Sequence, residues 1–127
     1  MFNKIEHVGI MVTDMERSLE WYQRVLGLRL RERIRLNENT ELAFLTVGDS
    51  ELELVAKTGT GTSKAPLEGV VNHVAFTVAD IAAALNHLKE HGVVLLNEQP
   101  MAFKALGTRG AFFLGPDGER LELTEWV

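Results

Sequence analysis

The sequence contains no cysteine. Disulfides, thiolate metal ligands and a cysteine nucleophile are excluded together, and the composition suits a reducing compartment. No stretch approaches the roughly 20 apolar residues of a membrane span. Met1 to His7 include no apolar run of signal-peptide length. A cytoplasmic protein without membrane association is expected. Basic clusters are missing as well. Lys and Arg total 13 against 18 Asp and Glu, for a net charge of −5, and no Lys/Arg run exists. That leaves no electrostatic footprint for a nucleic acid.

What remains is an ordinary globular composition, 46% hydrophobic and 24% charged in 127 residues. One domain of this length buries enough surface for a core without staples. Its organisation is set by an internal repeat. Glu6 to Asp14 place a His on a short apolar run that ends in Asp before a helical pattern, and Asn72 to Asp80 do so again. His7 matches His73, Val8 Val74, Val12 Val78, Asp14 Asp80 and Leu19 Leu85, each at an offset of 66. Two copies at such a spacing describe one domain (1–127) made of two modules: about 1–57 and about 71–127, joined by a linker at 58–70.

Residues 4–12 alternate, with Val8, Ile10 and Val12 on one face and His7, Gly9 and Met11 on the other, as in a strand. Thr13 and Glu16 form a capping-box pair, with Asp14 adding favourable charge at the helix start. Met15, Leu19, Tyr22 and Leu26 fall at helical spacing, predicting a helix over 14–26 that Gly27 ends. Trp21 and Tyr22 are expected to pack. In 29–36, Leu28, Leu30 and Ile34 oppose Arg29, Arg31, Arg33 and Arg35, a half-wet strand. Turns at 37–39 and 48–50 then separate strands 42–47 and 51–57. The second module repeats the order. A strand at 72–78 precedes a helix that Asp80 caps and Gly92 ends, with Ile81, Leu85 and Leu88 inward. Strands follow at 93–96, 109–114 and 120–126, with a loose loop at 97–108 and a turn at Gly115-Pro116-Asp117-Gly118. The expected class is α+β.

The strands that open and close each module carry an apolar face and, opposite it, one chemically competent side chain: His7, Glu53, His73 and Glu122. The small residues Gly9 and Ala75 stand two positions beyond the histidines. If the modules pair pseudo-symmetrically, two imidazoles and two carboxylates converge in one cleft. Such a mixed donor set suits one divalent ion (Ni, Co, Zn, Mn or Fe), with positions left for water or substrate. Singly, a His or Glu on a meander strand reads as its wet face. The fourfold match is what favours a site. Glu51 and Glu119 stand close enough to be confused with the ligands, and His91 near a helix C-terminus suits the helix dipole.

These features resemble the vicinal oxygen chelate superfamily, which includes glyoxalase I, methylmalonyl-CoA epimerase, fosfomycin-resistance proteins, bleomycin-binding proteins and extradiol dioxygenases. The carriers are His7-Val8-Gly9-Ile10, Ser18 to Tyr22 leading into Val25-Leu26-Gly27-Leu28, Leu52-Glu53-Leu54, His73-Val74-Ala75-Phe76, and Gly115 to Gly118 followed by Leu121-Glu122-Leu123. The resemblance implies two βαβββ modules forming a half-barrel cleft around a metal held by His7, Glu53, His73 and Glu122, with homodimers common. Epimerases usually have Gln where Glu53 stands, and bleomycin binders lack the metal set. Two glutathione-contacting positions of bacterial glyoxalase I, an Arg and an Asn, are Met11 and Lys57 here.

The leading expectation is a metal-dependent isomerase or lyase of glyoxalase type. It would act on a small substrate with vicinal oxygens through an enediolate, with Glu122 or Glu53 as base. Lys57, Lys104 and Arg109 are candidates for an acidic substrate tail, by charge. Two alternatives stand beside it. The stretch Leu95 to Pro100 is similar to an acyl-CoA epimerase, and the same fold also serves as a non-catalytic small-molecule binder.

Overall fold

The computed structural model describes residues 1, 5–57, 71 and 73–127. The linker expected at 58–70 lies outside them. The chain divides into two compact units, Met1–Ala65 and Pro66–Val127. The first contains β1 (His7–Val12), α1 (Met15–Arg24), β2 (Arg29–Asn37), β3 (Thr40–Val47) and β4 (Ser50–Lys57). The second contains β5 (Val74–Thr77), α2 (Ile81–Glu90), β6 (Met101–Phe103), a 3-10 turn (Lys104–Leu106), β7 (Thr108–Leu114) and β8 (Arg120–Trp126). Each unit is a βαβββ module with one four-stranded mixed sheet, ordered β1-β4-β3-β2 and β5-β8-β7-β6. The class is α+β, as the sequence pattern indicates. Among the described residues, no helix is long and apolar enough to cross a membrane.

Alternation drives the packing. In the first unit Ile10, Val12, Ala43, Leu45, Leu52 and Leu54 are buried, as are Met15, Leu19 and Tyr22 of α1, which lies against β4 and β2. In the second, Ala111, Phe113, Leu121 and Leu123 are buried with Ile81, Leu85 and Leu88 of α2. A fully buried leucine such as Leu45 or Leu54 stabilises by about 1.5–3 kcal/mol.

The start of α1 differs from the capping box expected at Thr13 and Glu16. Asp14 is the N-cap of α1, its carboxylate accepting the Arg17 N–H at 3.1 Å. Thr13 instead accepts from the Arg17 guanidinium at 3.0 Å, and Glu16 pairs with Arg33 at 2.6 Å. Asp80 caps α2 in the same way, accepting the Ala83 N–H at 3.1 Å. Gly27 and Gly92 follow the two helices with φ of 71°, a left-handed conformation that glycine adopts without steric cost.

β2 does not keep the simple alternation of its sequence. Its pairing with β3 shifts between Leu30 and Glu32, so Leu30 stands opposite buried Leu45 and Arg33 opposite buried Ala43. This bulge inserts one residue and reverses the phase. Ile34 therefore leaves the face of Leu30 and is 36% exposed. Arg33 takes the helix side, bonded to Glu16 and to Glu41.

Two further expectations need correction. Residues 93–96 form no strand: Leu95 makes one isolated bridge, to Phe113. Nor is 97–108 a loose loop, since it contains β6, the 3-10 turn and the start of β7. Backbone bonds from Leu114 N–H to Val94 O (3.0 Å) and from Leu96 N–H to Phe112 O (2.8 Å) begin an edge strand. The Phe112 N–H then donates to the Asn97 side chain at 2.9 Å instead of to backbone. Pro100, which has no N–H to give, precedes the resumption of pairing at Met101. The fourth strand of this sheet is thus an interrupted one.

Glu125 ties sheet to helix. Its carboxylate accepts the Ile81 N–H at 2.9 Å and the Arg109 guanidinium. The Ile81 N–H first, and then Arg109, hold this carboxyl below its ordinary value. A group depressed in the folded state stabilises above its unfolded pKa, and that contribution disappears as pH falls through the folded value. Glu125→Gln is therefore expected to lower the melting temperature at neutral pH and to shrink the loss seen on acidification, both read by thermal melts across pH. On α1, the Ser18 hydroxyl is fully buried with no hydrogen-bond partner among the described residues. Ser18→Ala is expected to stabilise the protein by about 1 kcal/mol, measured as a higher urea midpoint; a lower midpoint would show that the hydroxyl is used.

Candidate metal centre

Two parallel strand pairs position the candidate donors. β1 runs beside β4 with Gly9 opposite Glu53, and β5 runs beside β8 with Ala75 opposite Glu122. Side chains two residues apart share a face, so His7 and His73 lie on the faces of these glutamates. In the first unit His7 Nε2 is 3.8 Å from Glu53 Oε1. In the second His73 Nε2 is 3.1 Å from Glu122 Oε1. Both imidazoles are exposed and both carboxylates half-buried. The sequence-predicted donors are thus brought together in two His–Glu pairs, one per unit. Among the described residues, no group of three or more His, Asp or Glu is gathered tightly enough to hold an ion.

The donor chemistry fits a divalent ion. A neutral imidazole nitrogen and a carboxylate oxygen turned toward each other share either a proton or a cation, and both are common ligands of first-row metals. The space around them is kept small-lined. A Cβ on Gly9 would stand 3.3 Å from Glu53 Oε1. A Cβ on Gly110 would stand 2.7 Å from Glu122 Oε2 and 2.7 Å from Cε2 of Phe103. Gly110 therefore lets the Phe103 ring and the Glu122 carboxylate both lie against β7.

Two aromatic residues of the site are not singled out by the sequence pattern. Phe44 is the cross-strand partner of Glu53, and Phe112 that of Glu122. His7 meets Phe44 edge to face with centroids 6.2 Å apart, and His73 meets Phe112 in the same way at 5.3 Å. Edge-to-face arrangements of this kind are the favoured geometry for aromatic pairs. Strand alternation leaves both phenylalanines off the buried face, the one signal in the sequence that could have found them. The Arg31 guanidinium lies over Phe44, 5.1 Å from its centroid, and bonds Glu51. Glu51 is thereby engaged by an arginine, while Glu119 accepts the Asp117 N–H in the β7–β8 turn at 2.8 Å.

The remaining candidates lie apart from these pairs. Lys57 is exposed at the end of β4, on the face of Glu53, and Met11 is exposed on the face of His7. Lys104 is exposed one residue beyond Phe103. Arg109 bonds Glu125, whose carboxylate also takes the first N–H of α2. His91 ends α2, its Nδ1 donating to the His87 carbonyl at 2.9 Å.

A family model described as the Glyoxalase/Bleomycin resistance protein/Dioxygenase superfamily matches residues 4–123. The Bacillus subtilis protein YwbC, uncharacterised, is 36% identical over 96% of this chain and 97% of its own. A probable lactoylglutathione lyase of Vibrio cholerae is 34% identical over 97% of this chain and 91% of its own. The crystal structure of a glyoxalase family protein from Enterococcus faecalis superposes with a TM-score of 0.80 at 28% identity, covering 98% of each chain.

The two glycines give a direct test of the crowding. Gly110→Ala is expected to cost about 1–3 kcal/mol, because Glu122 or Phe103 must shift. Gly9→Ala is expected to cost clearly less, since one carboxylate oxygen moves by a few tenths of an ångström and Ala75 already fills the matching position. Equal losses in chemical denaturation would show that Glu122 is not held against Gly110.

Proposed function

Because the chain belongs to the glyoxalase/bleomycin resistance protein/dioxygenase superfamily, we propose that its two His–Glu pairs are the halves of one divalent-metal centre, and that the protein is an isomerase or lyase of glyoxalase type. The pairs would meet within one chain or across a homodimer. The observation that carries the reading is the duplication: each unit independently turns an imidazole nitrogen and a carboxylate oxygen toward each other at the same place in its sheet. His7, Glu53, His73 and Glu122 would hold the ion. When bound, it supplies Lewis-acid polarisation of two vicinal substrate oxygens as negative charge develops on them.

The chain's own groups then have defined tasks. Glu122 or Glu53 takes the proton from the carbon that bears the hydroxyl and thiol substituents and returns it to the adjacent carbonyl carbon. The hydroxyl proton crosses to the neighbouring oxygen. Carbonyl and hydroxyl exchange places, a thioester is produced, and no external oxidant or reductant is consumed. Phe44 and Phe112 hold the imidazoles edge-on. Where bacterial glyoxalase I has Arg and Asn, these faces present Met11 and Lys57, and Lys57 offers its cation to an acidic thiol tail.

The test pairs metal analysis with turnover. Purified protein is expected to bind a divalent ion, to lose it on His73→Ala, and to isomerise adducts of 2-oxoaldehydes with at least one low-molecular-weight thiol. Glu122→Gln is expected to lower kcat by about 10²–10⁴-fold. Metal-loaded protein that turns over no adduct across varied thiols, but exchanges the α-proton of an acyl-CoA, would replace this reading with the epimerase. Absence of bound metal, with His73→Ala indistinguishable from the parent in ligand binding, would replace it with a binding protein.

A further inference from the structure

His7 differs from an isolated strand histidine in having both ring nitrogens addressed. Its Nδ1 is 2.7 Å from Glu6 Oε1, a full hydrogen bond. Its Nε2 is 3.8 Å from Glu53 Oε1, beyond hydrogen-bond reach. A carboxylate can only accept, so in this bond Nδ1 is the donor, and Nε2 is the nitrogen that faces Glu53. Which imidazole nitrogen carries the proton is set by the bond the other one makes.

The segment that holds Glu6 is anchored. The Glu6 carbonyl accepts the Glu51 N–H at 3.2 Å, and the Ile5 carbonyl accepts the Ser50 hydroxyl at 3.1 Å. Both bonds tie the approach to β1 onto the start of β4, the strand that carries Glu53. Successive residues within a strand point to opposite faces, but β1 begins at His7. Glu6 lies outside that alternation, so its carboxylate can fold back to the Nδ1 edge of the ring. The opposite edge of the array is set by Phe44.

From this geometry we infer that Glu6 is a positioning residue for the candidate metal centre: its carboxylate fixes the tautomer and rotation of His7 so that Nε2 is presented as a ligand. The inference rests on the proposed metal centre. A carboxylate on the remote nitrogen of a metal-ligating histidine raises the basicity of the ligand, and its removal weakens metal affinity by about 10–100-fold. Glu6 touches neither substrate nor ion in this role. Its side chain is 76% exposed, so the fold does not depend on it.

The experiment measures the affinity of the full-length protein for Ni(II) and Zn(II) by chelator competition at about pH 8, above the ordinary histidine range. It also assigns the His7 tautomer by long-range nitrogen–proton NMR in metal-free protein. Glu6→Ala is expected to weaken metal binding at least 10-fold and to shift His7 toward the Nε2–H tautomer, with an unchanged melting temperature. Glu6→Gln, which keeps an oxygen acceptor, is expected to restore most of the affinity. If the parent binds metal and His7→Ala abolishes binding while Glu6→Ala matches the parent, this inference falls and the metal centre stands. If the parent protein binds no metal, both fall together.

Discussion

Two parallel strand pairings carry the rest of this structure. β1 lies in register beside β4, and β5 beside β8. Because strand side chains alternate, that register determines that His7 shares a face with Glu53 and Ala75 with Glu122, and His73, just before β5, reaches Glu122 at 3.1 Å. The register equally determines that Ile10, Val12, Leu52 and Leu54 go to the opposite, helix-covered side. A slip of one residue would exchange the faces, placing histidine and glutamate in the core and leucine outside. The burial of the apolar face therefore fixes the placement of the polar one. The donors need no dedicated scaffold beyond the core itself.

The two units reach the same arrangement by different local means. In the first, the edge strand β2 is continuous and bulged, with Arg33 matched to Glu16 and Glu41 and Arg31 to Glu51. In the second, the corresponding edge is broken at Asn97 to Pro100, and Asn97 substitutes a side-chain carbonyl for a missing backbone partner. Both edges are places where sheets ordinarily avoid further pairing by charge, bulge or proline. What the two units keep in common is the parallel strand pair and the phenylalanine opposite each glutamate. That is the part of the module on which the proposed chemistry depends.

Charge pairing elsewhere sharpens the contrast with the candidate donors. Arg31, Arg33 and Arg109 each have carboxylate partners, and Glu51, Glu41 and Glu125 are engaged by them. Glu53 and Glu122 face imidazoles, which become cations only on protonation and are otherwise neutral ligands. The half-buried carboxylates of the two pairs are thus set beside groups able to exchange a proton for a metal ion.

The sequence by itself determined the duplication, the α+β class, the cap at Asp80 and the polar face of its own segment on which each histidine and glutamate lies, because a repeat and a local periodicity can be read along the chain. It misassigned the strand at 93–96 and the loop at 97–108. An apolar run without alternation does not reveal where pairing is interrupted by an asparagine side chain and a proline. It also grouped Leu30 with Ile34, since a bulge is a property of the pairing and not of one strand. Only the tertiary structure decided that Phe44 and Phe112 stand beside the imidazoles, that Glu6 comes within hydrogen-bond distance of His7 while Glu53 does not, and that Gly110 leaves room for Glu122 and Phe103 together. These are contacts between strands, or between a strand and the chain that leads into it, and their distances are set by register and bulges that no single segment encodes.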